Sequence, residues 1–167
     1  MALYSLVPKT CRALQAYLKD AAISGLDSAN ILAHKDDDIR TVPNVTIRAN
    51  SAMPKMGNPG AWTVGVKIWV ATTMITSVES TNDPVEDSDN LAGAVFDEFF
   101  RYIVHQNNGP LADAITASAR NWSIPNFKCD YVRHLGGVDI QQDTEGHFYL
   151  DILPLSLDVR ASEATEP

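Results

Sequence analysis

WTVGVKIWVATTMITSV, residues 62–78, decides how the rest of the chain is read. Trp62, Val64, Val66, Ile68, Val70, Met74 and Val78 occupy even positions, while Thr63, Gly65, Lys67, Thr73 and Ser77 occupy odd ones. A period of two marks a half-buried β-strand. At about 3.3 Å per residue the run would span roughly 56 Å, against about 17–20 Å for an ordinary strand. A compact chain of this length has a diameter of only about 40 Å. The strand is therefore expected either to break, with Gly65 as its natural bend or bulge, or to project and pair outside its own subunit, because an open sheet edge in water has to be covered or blunted. Trp69 and Ile75, on the nominally wet face, favour a covered surface.

The 167 residues, 45% hydrophobic and 20% charged, suffice for one globular domain, residues 1–167. No apolar run reaches bilayer-spanning length, and the start MALYSLVPKTCRAL carries neither a basic leader nor a long apolar segment. Synthesis in the cytoplasm, with no membrane insertion, is expected. Cys11 and Cys129 read as two buried thiols rather than a disulfide. Thirteen basic residues against 21 acidic ones give a formal charge of −8 and a pI near 4.8. Such a surface repels phosphate, and the cations read as scattered singly, with Lys35 and Arg40 bracketing Asp36, Asp37 and Asp38. That pattern argues against a tight nucleic-acid clamp.

Residues 8–24 read as an amphipathic helix with Pro8 in its first turn, Cys11, Leu14 and Leu18 on one stripe, and Gly25 as its stop. A short edge strand is expected over 30–35. A further strand over 42–50 alternates Val45, Ile47 and Ala49 with Asn44, Thr46, Arg48 and Asn50. Between it and the long strand, SAMPKMGNPGA, residues 51–61, reads as a long hairpin loop. Loops of that length tend to carry function, and exposed methionines suit adaptable contacts, although a merely variable tip is the plainer alternative.

The acidic connector ESTNDPVEDSDN precedes a helix that is capped near Asp87, Ser88 and Asp89 and runs to about His105, with Leu91, Val95, Phe99, Tyr102 and Ile103 at helical spacing. This apolar stripe should lie across the sheet. A shorter helix is expected over 111–119, then strands over 127–135 and 148–159, separated by Gly136, Gly137 and the polar stretch DIQQDTEG. In the last strand the apolar parity shifts beyond Pro154, which predicts a bulge or bend there. The tail from 161 should be frayed. The fold class expected is α+β: a mostly antiparallel or mixed sheet with a long hairpin, and helices packed on one face.

Catalytic signatures do not emerge. No Gly-rich phosphate loop, nucleophile elbow or zinc pattern occurs, and His34, His105, His134 and His147 share no short ligand spacing. Asp36 to Asp38 lack the alternation and distal glutamate of a calcium loop. The chain is expected not to be an enzyme, and to need no cofactor or metal.

The order of elements, with TVPNVTIRAN, WTVGVKIWVATT, the helix DNLAGAVFDEFFRYIV and the closing HFYLDILPLSLDV, resembles the tail terminator or tail completion proteins of tailed bacteriophages. The likeness covers nearly the whole chain and rests on pattern rather than on a short motif. It implies a structural virion protein of the tail or neck, assembled as a hexameric ring that caps the tail tube, stops its polymerisation and joins it to neck or head-completion proteins. Tail tube protein, and in a contractile tail the sheath, are the implied partners, with DNA passing through an acidic lumen without tight binding. Met53, Lys55, Met56, Asn58, Trp62 and Trp69 are the candidate subunit or partner contacts. Another neck or head-tail adaptor protein, a tail-tube subunit, and a small ligand-binding or enzyme domain are the alternatives. An enzyme or binding domain would bury its long strand beside a concave pocket.

Overall fold

The computed structural model describes residues 5–33, 43–58, 60–73, 84–100, 109–142 and 148–161. Three helices and six strands follow in the order α1 (Leu6–Ala21), β1 (Ile31–Ala33), β2 (Asn44–Pro54), β3 (Ala61–Thr73), α2 (Pro84–Phe100), α3 (Gly109–Asn121), β4 (Lys128–His134), β5 (Asp139–Gln142) and β6 (Phe148–Arg160). The sheet runs β1-β2-β3-β6-β4, with β5 also paired to β6, and only the β1–β2 pair is parallel. This is the expected α+β class, with a mostly antiparallel, mixed sheet.

The helices form one layer. Leu14 and Leu18 of α1, Val95 and Phe99 of α2, and Leu111 and Ile115 of α3 meet Val64, Val66, Ile68 and Val70 of β3 and Leu153, Leu155 and Leu157 of β6 in one core. Burial of this kind contributes roughly 25 cal/mol per Å² of apolar surface removed from water. Tyr17 ties α1 to α2, since its hydroxyl donates to the Glu98 carbonyl and its ring lies 5.5 Å from that of Phe99. Helix α1 stops earlier than Gly25. Ala22 takes the left-handed region (φ 50°) and its N–H donates to the Lys19 carbonyl at 3.2 Å.

The long strand does not leave its subunit. Ala61–Thr73 is paired on one side by Arg160–Phe148 of β6, and Trp62–Ala71 on the other by Pro54–Asn44 of β2. Thirteen residues are accommodated because β6 is equally long and lies in the middle of the sheet beside it. Residues 74–78, including Ile75, lie outside the described residues, as do the acidic turn at 36–38, the connector over 79–83, the helical positions from 101 to 105 and the tail from 162.

Gly65 is not the bulged residue, although it makes the bulge possible. The register shifts on β2 between Ala49 and Ser51, so Asn50 is the extra residue and Ser51 lies opposite Gly65. A Cβ on Gly65 would meet Ser51 Oγ and stand 2.8 Å from Asn50 Oδ1. The bulge flips the parity of β2, placing Ala52 and Pro54 on the helix side where unbroken alternation would have put Ser51 and Met53. Residues 51–54 therefore belong to β2 and Ala61 to β3, and the loop expected over 51–61 shrinks to a tip at 55–60.

The irregularity expected at Pro154 also sits elsewhere. β6 pairs with β3 without a register shift from Phe148 to Arg160. Proline has no N–H to donate to a ladder. The neighbouring strand is interrupted where that donor would have been needed, with His134 opposite Leu155, Asp139 opposite Ile152, and residues 135–138 between them. The apparent shift in parity arises because Ile152 is buried on the face away from the helices, whereas Leu153 and Leu155 are buried beneath them. Asp139–Gln142, read as a polar connector, is strand β5.

Candidate interaction surface

Two helices guard parts of the sheet's outer edges. On one edge β1 covers Val45 to Ile47, and the Ala49 backbone meets the Cys11 thiol of α1. On the other, Thr116 of α3 accepts from the Cys129 N–H at 3.0 Å while donating to the Ala112 carbonyl at 2.8 Å. Burial raises both thiols, Cys11 to about 11 and Cys129 to about 12.

Beyond Ala49, among the described residues, the outer edge of β2 has no strand beside it. The β2–β3 hairpin ends here as an arm whose inner strand stays paired to β6 as far as Ala61, while its outer strand is exposed at Asn50, Ser51, Met53 and Pro54. Its tip is closed by Lys55 N–H donating to Ala61 O at 2.9 Å and Ala61 N–H donating to Asn58 O at 3.1 Å, with Gly57 and Gly60 at φ +78° and +91°. L side chains rarely adopt such angles.

Four of the six candidate contacts gather here. Met53 is 67% exposed and Met56 99% exposed, while Lys55 and Asn58 shape the tip. Trp62 stands beside the tip but on the helix side, opposite Pro54 and Val159 and packed against the core. Trp69 is not part of this cluster. It lies on the open face between Thr46 and Ile152, half-buried, and its indole N–H is buried without a hydrogen-bond acceptor among the described residues.

The arm is tied down by a residue that sequence patterning did not single out. Asp158, 3% exposed on the open face, accepts from Arg133 Nη1 at 3.0 Å, Arg133 Nη2 at 2.6 Å and Thr63 Oγ1 at 2.9 Å, and lies 3.0 Å from Lys55 Nζ. Burial alone would raise this carboxyl, but the hydrogen bonds from Arg133, Lys55 and Thr63 and the charge of Arg133 outweigh it and hold the group below its ordinary range. Arg133 also stacks over the Tyr131 ring at 4.8 Å. Its strand carries a second carboxylate, Asp151, and the residues around Asp158 are mostly apolar, but its partners come from distant elements.

The cations that look scattered along the sequence are concentrated by the sheet. Arg48 and Lys67 face each other on the open side, with Arg133 and Lys55 further along it. Elsewhere, a groove of about 450 Å³ between α3 and residues 124–128 brings together Asp113, Arg120 and Lys128. No group of three or more His, Cys, Asp or Glu residues placed to hold a metal occurs among the described residues. No described helix is long and apolar enough to cross a membrane. Comparison with protein-family models and with curated proteins finds no match to this chain.

Proposed function

We propose that this protein is a structural virion component, a tail terminator whose copies form a ring on the end of a bacteriophage tail tube. The observation that supports this reading most is the outer edge of β2 at Asn50–Pro54, unpaired among the described residues and carried on an arm with the exposed Met53 and Met56. A sheet edge of this kind takes up partners through main-chain hydrogen bonds, and a head-to-tail contact closes into a ring when its rotation permits. The ring is hexameric on the family likeness. It stops tube growth, presents a surface to neck or head-completion proteins, and meets the sheath where the tail is contractile. The role is structural rather than catalytic. A formal charge of −8 per copy disfavours tight retention of the DNA that passes through.

The test is light scattering and negative-stain imaging of the protein alone and mixed with tail tube subunits. A discrete ring of about six copies, and tubes that stop growing once capped, are expected. A protein that stays monomeric and leaves tube growth unchanged overturns the reading. Open-ended filaments of this chain alone would assign it to the tube instead.

A further inference from the structure

We propose that the outer edge of β2 at Asn50–Pro54 in one copy pairs with the outer edge of β5 at Asp139–Gln142 in the next, so that the sheet runs on from subunit to subunit. The inference rests on the ring reading and names the two surfaces that form its joint. Among the described residues neither stretch has a strand beside it on its outer side.

Direction and facing both agree. β2, β3, β6 and β5 alternate in direction across the sheet, so β5 of one copy meets β2 of the next antiparallel without any turning of the subunit. The faces also carry over. Ala52 and Pro54 lie on the helix side of β2, and Ile140, opposite Asp151 and thereby level with Val70, lies on the helix side of β5. Ile140 is 69% exposed in the single subunit, and opposite Ala52 it would be covered by the neighbour's arm. In that register Asp139, which has no ion pair among the described residues, stands across from Met53 and diagonal to Lys55 on the open face. Diagonal cross-strand neighbours are about 7–8 Å apart, within reach of a lysine. The joint thus matches an apolar pair on one side and, on the other, brings Asp139 beside Lys55, whose ammonium also lies 3.0 Å from Asp158.

The offset between the edges is compatible with closure. Ala52 aligns through Val64 with Leu157 and Ile140 aligns with Asp151, a difference of six residues along β6. That corresponds to about 20 Å along the strands, against about 19 Å across four strands. Strands joined with this stagger tilt by about 45°, close to the roughly 35–45° at which closed sheets settle.

Cysteine cross-linking tests the joint, because both native thiols are buried, Cys11 at 2% and Cys129 at 1% exposure. A chain carrying both Ala52→Cys and Ile140→Cys, assembled alone or on tail tubes and treated with a short bis-maleimide, is expected to give a covalent ladder that ends at the ring size. Mixed single variants should give dimers only, and neither single variant should cross-link to itself. Rings that form normally with no cross-link overturn this joint and leave the ring reading standing. Self-cross-linking of the Ala52→Cys chain would show β2 pairing with β2, and also overturns it. Absence of any assembly in light scattering overturns the ring reading and the joint together.

Discussion

Arg133 of edge strand β4 grips Asp158 of the adjacent β6 with two guanidinium nitrogens, Nη1 on Oδ1 at 3.0 Å and Nη2 on Oδ2 at 2.6 Å. The carboxylate is buried whereas the Arg133 and Lys55 side chains are 46% and 41% exposed. The pair is therefore asymmetric. Removing Arg133 leaves a buried charge short of partners, but removing the carboxylate charge leaves two cations that water can solvate.

Arg133→Ala is accordingly expected to cost more than Asp158→Asn, about 2–3 kcal/mol against about 1 kcal/mol. The double variant should lie close to Asp158→Asn alone. Urea denaturation measures all three, and equal costs for the two single variants would contradict the asymmetry.

The same carboxylate sets an acid dependence. Its folded pKa lies below the ordinary 3.8, so its contribution is complete above that value and is lost as pH falls from there through the folded pKa. Melting temperatures taken from neutral to strongly acid pH should fall more steeply for the native chain than for Asp158→Asn. Parallel curves would show that Asp158 is not held in its charged form by these partners.

Gly65→Ala places a methyl group against Ser51 Oγ and 2.8 Å from Asn50 Oδ1 at the β2 bulge. A loss of about 1–2 kcal/mol is expected, since overpacking forces the neighbours to shift. Adding Ser51→Gly should return most of it. If the second change gives no recovery, the close approach of the two strands is not what requires glycine.

Burial raises Cys11 to about 11 and Cys129 to about 12, so neither is a thiolate near neutral pH. A chromogenic disulfide reagent at pH 8 should label no thiol in the folded protein and two after denaturation in urea. Rapid labelling of the folded chain would mean that α1 or α3 opens readily from the sheet edge.

Periodicity made much of the architecture legible. The even positions of β3 from Val64 to Val70 and the helical stripe of Leu14 and Leu18 are local repeats, and each must bury one face. Those repeats settle the α+β class and the single layer of helices. The bulge at Asn50 and the tolerance of Pro154 were not legible, because each depends on what the adjacent strand does at the same level. One extra residue on β2 reverses which side chains face the helices, and a gap in β4–β5 removes the need for a donor at Pro154. The candidate contacts were half legible: the exposed methionines of the arm sit in a glycine- and proline-rich run, whereas β5 looked like a connector.

The sequence by itself determined most of the helices and strands and the inward face of each regular stretch, because those choices are made by residues a few positions apart. Only the tertiary structure decided that the longest strand is central and that the open edge belongs to β2. It also gathered Lys55, Thr63 and Arg133 around the buried carboxylate of Asp158. Strand order and charge pairing join residues as far apart in the chain as Lys55 and Asp158, and no local pattern encodes which of several possible neighbours a strand will take.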